Sequence, residues 1–458
     1  MPPSPASTLQ RRRFRSMIGQ RVPARSPSQE ADVKNWRKAV AAALLLAATA
    51  SVAGVTGGTA STSSTQRTCA FQLRIGDVLP FTGGLAAYGA NLDRAVKLAV
   101  AMQNASLKRL KLSKTSVKLV ASEDGQTQAA ASVEAATKLV KADHVSVIIG
   151  EMASSATIPM AQSVAIPNHV VDISPTSSAP QITGIKDNGY LWRVYPSDYL
   201  QGRVLAQAAI SAFGKGKTVN VGARNDAFGT ALQQLFVAQY KKLGGKVGES
   251  LRWNPDQANY DTEAGRLVSG SPAGFVIIDF PETFAKLAPS LVRTGKWQAS
   301  RTLMTEALRN EDVLKALGSP ADGLRGTAAT SVGAPARAAF DALWKKQVKG
   351  AKPYTGFEGT AFDAANLAFL AAVKACSATG PKIKTQLRAV SGPPGAKVTF
   401  KKLDQAVKLL LAGKDINYEG AWGPIDWDKN GDPGSAVYEI WRYSNGQITT
   451  QKTITFKP

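Results

Sequence analysis

Hydroxyl side chains gather twice in this chain, each time directly after a run of β-branched residues. Val145-Ser146-Val147-Ile148-Ile149 leads into Gly150-Glu151-Met152-Ala153-Ser154-Ser155-Ala156-Thr157. Val170-Val171-Asp172-Ile173 leads into Ser174-Pro175-Thr176-Ser177-Ser178-Ala179-Pro180. Such runs read as buried strands, and Gly150 releases the backbone into a turn. Hydroxyls at the C-terminal ends of two successive strands predict a polar pocket at the mouth of a parallel sheet. Open α/β sheets bind ligands there. Ser154 and Ser155 precede a helix expected over Ala156–Val164, where unsatisfied N–H groups and the positive dipole end favour an anion. The other role open to Ser154 is that of an ordinary helix cap.

Chemistry that needs histidine or clustered ligands has little material. His144 and His169 are isolated, the first just before a strand and the second opening the next one. Cys69 and Cys376 are too far apart in sequence for metal-ligand spacing, so neither a metal nor a cofactor is expected. Ser154 lacks a Gly-x-Ser-x-Gly elbow and has no histidine in its turn, which argues against a hydrolase. An enzyme is therefore not expected.

The elements that must carry these turns alternate strand and helix from Phe71 onward. Strands are expected at Leu73–Val78, Val117–Ala121, Val145–Ile149 and His169–Ile173, with helices at Asn91–Met102 and Thr127–Lys141. After Tyr190–Val194 a second series begins. Its strands are Thr218–Gly222, Lys246–Arg252, Gly274–Ile278 and Arg301–Met304. Its helices are Leu200–Phe213, Thr230–Lys242 and Ala285–Arg293. Two such series predict two α/β lobes with parallel sheets flanked by helices. Helices at Pro335–Lys346 and Gly359–Ala378 follow, then a hairpin of Ala436–Tyr443 and Gln447–Phe456 turning at Ser444-Asn445-Gly446.

With 458 residues and 44% hydrophobic content, two or three domains with a sizeable core are expected. The formal net charge is +23, of which residues 1–60 supply nine Lys/Arg and two Asp/Glu. The remaining excess is scattered rather than gathered with aromatics on one face, which argues against a nucleic-acid partner. Residues 1–33 read as a disordered leader. Residues 34–60 combine Lys34, Arg37 and Lys38 with an Ala/Leu-rich run and small closing residues, which reads as a signal peptide. A retained membrane anchor is the alternative, although the run is short for a span.

Three segments in register resemble the type I periplasmic binding proteins of the Leu/Ile/Val (branched-chain amino acid) class. They are Ile75-Gly76-Asp77-Val78-Leu79-Pro80-Phe81-Thr82-Gly83-Gly84 with Tyr88-Gly89, the two serine turns, and Ile416–Gly420 with Gly423-Pro424-Ile425-Asp426-Trp427-Asp428 and Gly431-Asp432. The resemblance implies two Rossmann-like lobes joined by a three-crossover hinge near Val194, Thr330 and Glu419. Lobe one would comprise 70–194 plus 331–419, and lobe two 195–330 plus 420–458.

It further implies that Ser154, with Thr176, Ser177 and Ser178, meets a ligand carboxylate. Phe228 stands where many relatives have Tyr and would form an aromatic wall. Glu306 would match the acid that meets a ligand ammonium, and Tyr88 would lie at the cleft mouth. Their plainer roles are a packing residue, an acid at a helix start and a loop aromatic. Under these lobes Cys69 and Cys376 belong to one body, and export would place them in an oxidising compartment, so a disulfide is expected. The function implied is an extracytoplasmic receptor for an amino acid or related small carboxylate, delivering it to an ABC permease in the inner membrane. The alternative is a sensor of the same fold acting through a partner chain.

Overall fold

The strand and helix alternation builds two sheets in the computed structural model, which describes residues 67–350 and 355–456. The expected leader and signal segment, residues 1–33 and 34–60, lie outside the described residues. One sheet holds β1 (Phe71–Leu79), β2 (Thr115–Asp124), β3 (Val147–Gly150), β4 (Val171–Ser174) and β5 (Leu191–Arg193). Its order is β2-β1-β3-β4-β5, and every pair is parallel. The second begins with β6 (Thr218–Arg224), β7 (Lys246–Trp253), β8 (Gly274–Ile278), β9 (Thr302–Met304) and β10 (Arg325–Ala329). Two short strands, β11 (Ala396–Val398) and β12 (Ile416–Tyr418), pair with each other. The hairpin of β13 (Ala436–Ser444) and β14 (Gln447–Phe456) then completes the second sheet as its antiparallel edge, in order β14-β13-β10-β9-β8-β6-β7. All residues of β3 and β8 are buried, as expected of strands covered by helices on both faces.

Several elements differ from their sequence expectation. The first helix starts at Ala86 rather than Asn91 and runs to Arg109. The helix after β3 covers Ser154–Met160 and continues as a π turn, Ala161–Ala165, so Ser154 is its first residue and Ala153 its cap. The helix expected to reach Ala378 spans Glu358–Ala375 and stops where Cys376 takes φ +52°. A further helix, Gly380–Ser391, follows with proline in its first turn. Cys69 and Cys376 are bonded, with S–S 1.98 Å, joining the start of β1 to the end of the buried helix.

The chain passes between the sheets three times: from β5 to β6, after β10, and from β12 to β13. Helix Glu358–Ala375 packs against the first sheet and is buried along nearly its whole length. From it Asp363 clamps the third passage, accepting N–H bonds from Ala421 (2.9 Å) and Trp422 (2.7 Å) and the hydroxyl of Tyr418 (2.9 Å). Gly420 is required beside it, because a Cβ there would lie 2.2 Å from the Asp363 carboxylate. The Gly431-Asp432 motif serves the first passage: Asp432 pairs with the fully buried Arg193 at 2.7 Å, and Trp427 donates to the Arg193 carbonyl at 2.6 Å.

One buried acid of the first sheet is costly. Asp172 on β4 is fully buried, and neither carboxylate oxygen has a hydrogen-bond partner among the described residues. Burial alone holds its pKa well above the usual carboxylate range. The folded chain therefore keeps a proton that the unfolded chain loses above about pH 4, so this contribution to stability declines as pH rises towards the folded pKa. Asp172→Asn is expected to flatten the stability profile above pH 4 by up to about 1.4 kcal/mol per pH unit. Denaturant unfolding at several pH values checks this, and an unchanged slope would contradict it.

Candidate functional site

Most residues that meet in the cleft between the sheets sit just past the C-terminal end of a strand. Leu85 follows β1, Met152 to Ser154 follow β3, and Thr176 and Ser178 follow β4. Phe228 follows β6, Phe280 follows β8, and Glu306 and Ala307 follow β9. Phe357, from the loop before the buried helix, completes the lining of this partly open cavity. Gly150 lets the first turn approach β1, since a Cβ at its φ of +157° would lie 2.1 Å from the Val78 carbonyl oxygen.

Hydrogen-bond direction decides what each hydroxyl can offer. Ser154 Oγ accepts the backbone N–H groups of Ser178 (3.2 Å) and Ala179 (3.1 Å). Its own hydrogen is left to donate, and the side chain lines the cavity. Thr176 donates its hydroxyl to the Met152 carbonyl at 2.9 Å, and Ser178 donates to Asp198 at 3.1 Å, so both turn lone pairs outward. Ser177 is occupied by Thr157 and by the carbonyls of Glu151 and Met152, and it does not line the cavity. Ser155 lies outside the lining as well. Tyr88 is buried and donates to the Ala307 carbonyl at 2.8 Å, a bond across the cleft rather than a group at its mouth.

The part of the lining that comes from the second sheet combines aromatic rings with an acid. Phe228 stacks on Phe280 with centroids 5.3 Å apart, and the Arg224 guanidinium lies 3.7 Å above the Phe280 ring. Arg224 is fixed in turn by Asp226 at 2.5 Å and Asp279 at 3.6 Å. Glu306 is 5% exposed and takes a hydrogen bond from Gln201. Burial pushes its pKa up to about 7. Burial and the charge of Glu306 together hold Asp198 well above the usual range. The cavity lining thus combines a hydroxyl donor, a buried acid and aromatic rings. Among the described residues no three His, Cys, Asp or Glu side chains are grouped to hold a metal.

The profile of the periplasmic binding protein family matches residues 72–432. The chain belongs to that family. It is 24% identical over 389 residues to BasB of Halobacterium salinarum, a chemotactic signal transduction system substrate-binding protein, covering 83% of this chain and 89% of that one. The fold matches that of the leucine-binding protein LivK from Thermotoga maritima with TM-score 0.69 and 21% identity, over 83% of this chain and 98% of that one. It also matches a solute-binding protein of an ABC transporter from Rhodopseudomonas palustris, solved with 3,4-dihydroxybenzoic acid. That match has TM-score 0.64 and 18% identity and covers 84% of this chain and 97% of the other. These are type I folds whose members bind ligands rather than catalyse reactions.

In this periplasmic binding protein, sequence reasoning missed Phe280, Phe357, Asp198 and Gln201. Phe280 was within reach, because Asp279-Phe280 directly follows β8 as the serine turns follow β3 and β4. Asp198 reads in sequence as an acid at a helix start, and only the fold sets it beside Ser178. Ser154→Ala would strip the acceptor from two buried N–H groups. Its loss is therefore expected to cost about 1–3 kcal/mol of stability without any ligand. Denaturant unfolding of the ligand-free variant measures this, and unchanged stability would mean that the two N–H groups are satisfied elsewhere.

Proposed function

We propose that this chain is an extracytoplasmic solute receptor that captures an α-amino acid between its lobes and delivers it to an ABC permease. The observation that carries the reading is the presence of Ser154 and Glu306 in the lining of one cavity. A hydroxyl donor suits a carboxylate, and a buried acid suits an ammonium. An unpaired charge out of water would be costly, so a zwitterion needs both partners. The rings of Phe228, Phe280 and Phe357 favour an apolar or aromatic side chain on that amino acid. Related small carboxylates without an amine would use the Ser154 side alone and leave Glu306 protonated. Ligand capture would bias a hinge motion towards the closed state, in which Tyr88 already bridges to Ala307.

The similarity to BasB favours a second reading, a sensor that passes ligand occupancy to a signalling partner. Both readings place the chain outside the cytoplasm and share one ligand site. They differ in the protein that recognises the closed form.

A thermal-shift screen of amino acids and aromatic acids identifies the ligand, since saturation at 100 Kd stabilises by about 2.7 kcal/mol. Glu306→Gln is expected to weaken an α-amino acid by about 2–5 kcal/mol and an amine-free analogue far less. The pH dependence has a definite sign. Burial pushes the Glu306 pKa up to about 7, and the ammonium needs its ionised form. Below that pH a proton must leave on binding, so Kd is expected to rise about tenfold per pH unit and to be flat in Glu306→Gln. Calorimetry between pH 5 and 8 reads both. Equal weakening of both ligand types would remove Glu306 from the ammonium site.

A further inference from the structure

A larger concavity lies away from the cleft and shares no lining residue with it. It runs between helix Ala86–Arg109, helix Arg337–Gln347 and the segment Phe400–Gln405, and it is wide and open to solvent. Leu98, Met102, Leu343 and Phe400 contribute to its apolar lining. Alanines face it where larger residues would fill it. Ala101 and Ala105 are one turn apart on the first helix, and Ala339 and Ala342 occupy the second. Leu98 to Arg109 spans three turns, about 16 Å of helix at 1.5 Å per residue.

The charges lining this groove are mostly positive. Lys346, Lys401 and Lys402 line it and are exposed. Its one acid, Asp404, is bonded to Arg109 at 2.7 Å. We propose that the groove docks an acidic amphipathic helix of a partner protein, with the helix's apolar face on the alanine-lined floor and its carboxylates on the lysines. This goes beyond the solute-receptor reading and does not depend on the ligand.

Charge excludes the nearer occupants. The nine Lys/Arg of residues 1–60 lie within residues 11–38 and have the wrong sign for a basic rim, and residues 39–66 carry no carboxylate to meet the lysines. A second copy docking through the same face would set lysines against lysines. A flat anionic lipid surface would meet the lysines and leave the apolar floor uncovered. A helix of about three turns fills the length, and helix-in-groove recognition uses apolar anchors at such spacing.

The test is fluorescence anisotropy of the intact protein with a labelled synthetic helix of about 15 residues, leucines on one face and glutamates on its flanks. Saturable one-to-one binding is expected. Reversing two charges, Lys346→Glu with Lys402→Glu, should weaken it about tenfold or more, and a peptide with lysines in place of glutamates should recover it. Ala342→Trp should block binding with the net charge unchanged, and thermal melting checks that each variant is folded. Absence of peptide binding overturns the proposal. So does equal binding of the acidic and basic peptides by the wild type, or wild-type affinity in Ala342→Trp. Lysine-dependent binding to phosphatidylglycerol vesicles without peptide binding would assign the face to lipid instead.

Discussion

The backbone carbonyl of Glu151 holds the two serine turns together, and the cleft is shaped by that link. It accepts the hydroxyls of Ser174 at 2.7 Å and Thr157 at 2.9 Å, with Ser177 at 3.3 Å. Ser154 adds the reverse connection by accepting two N–H groups from the second turn. Buried polar groups left unpaired are costly, so these bonds fix the turns relative to each other. They also divide labour among chemically alike residues. Ser177 is consumed by the scaffold, whereas Ser154 keeps a hydrogen to donate into the cavity.

The same turns are tied to the hinge through Arg193. Its guanidinium donates to the Ala179 carbonyl at 3.0 Å, while its Nε pairs with Asp432 at 2.7 Å. Asp432 belongs to the passage from β12 to β13, and Arg193 ends β5 where the first passage begins. One fully buried side chain therefore touches the second serine turn and two of the three passages. A buried ion pair is weak evidence for stability, because desolvation offsets much of its attraction, but breaking it would leave a charge stranded. Its geometric consequence is firmer. Any change in the angle between the lobes is felt at the carbonyls of the turn that lines the cleft.

How much of this could be read from the chain depended on how local each signal was. The runs ending at Ile149 and Ile173 declared themselves as strands, and Ser154, Thr176 and Ser178 were legible because strand ends are where such sheets bind. Phe228 and Glu306 also line the cavity, in keeping with positions after β6 and β9. Tyr88 and Ser177 had the right chemistry, but their hydrogen bonds go to Ala307 and to the scaffold, and sequence does not reveal hydrogen-bond direction. Asp198 and Phe357 come from segments distant from the serine turns, so their roles exist only in the packed structure. The helix Gly380–Ser391 was hidden by Gly380-Pro381, which reads as a break until the proline is seen to start a new helix.

Two buried acids, Asp198 and Glu306, stand close enough to the cleft for one to influence the other, and Glu306 lines the cavity itself. Asp198 and Glu306 raise each other's cost of ionisation, and burial raises it further. Arg193 is the nearest compensating charge acting on Asp198, but it is engaged with Asp432. The Ser178 hydroxyl, bonded to Asp198, takes its direction from the protonation of that acid. With Asp198 ionised, Ser178 donates to it and turns lone pairs to the cavity. With Asp198 protonated, the bond can reverse and free the Ser178 hydrogen for an anion. The donor at Ser154 is insulated from that exchange, because both of its accepted bonds come from backbone N–H groups that do not titrate.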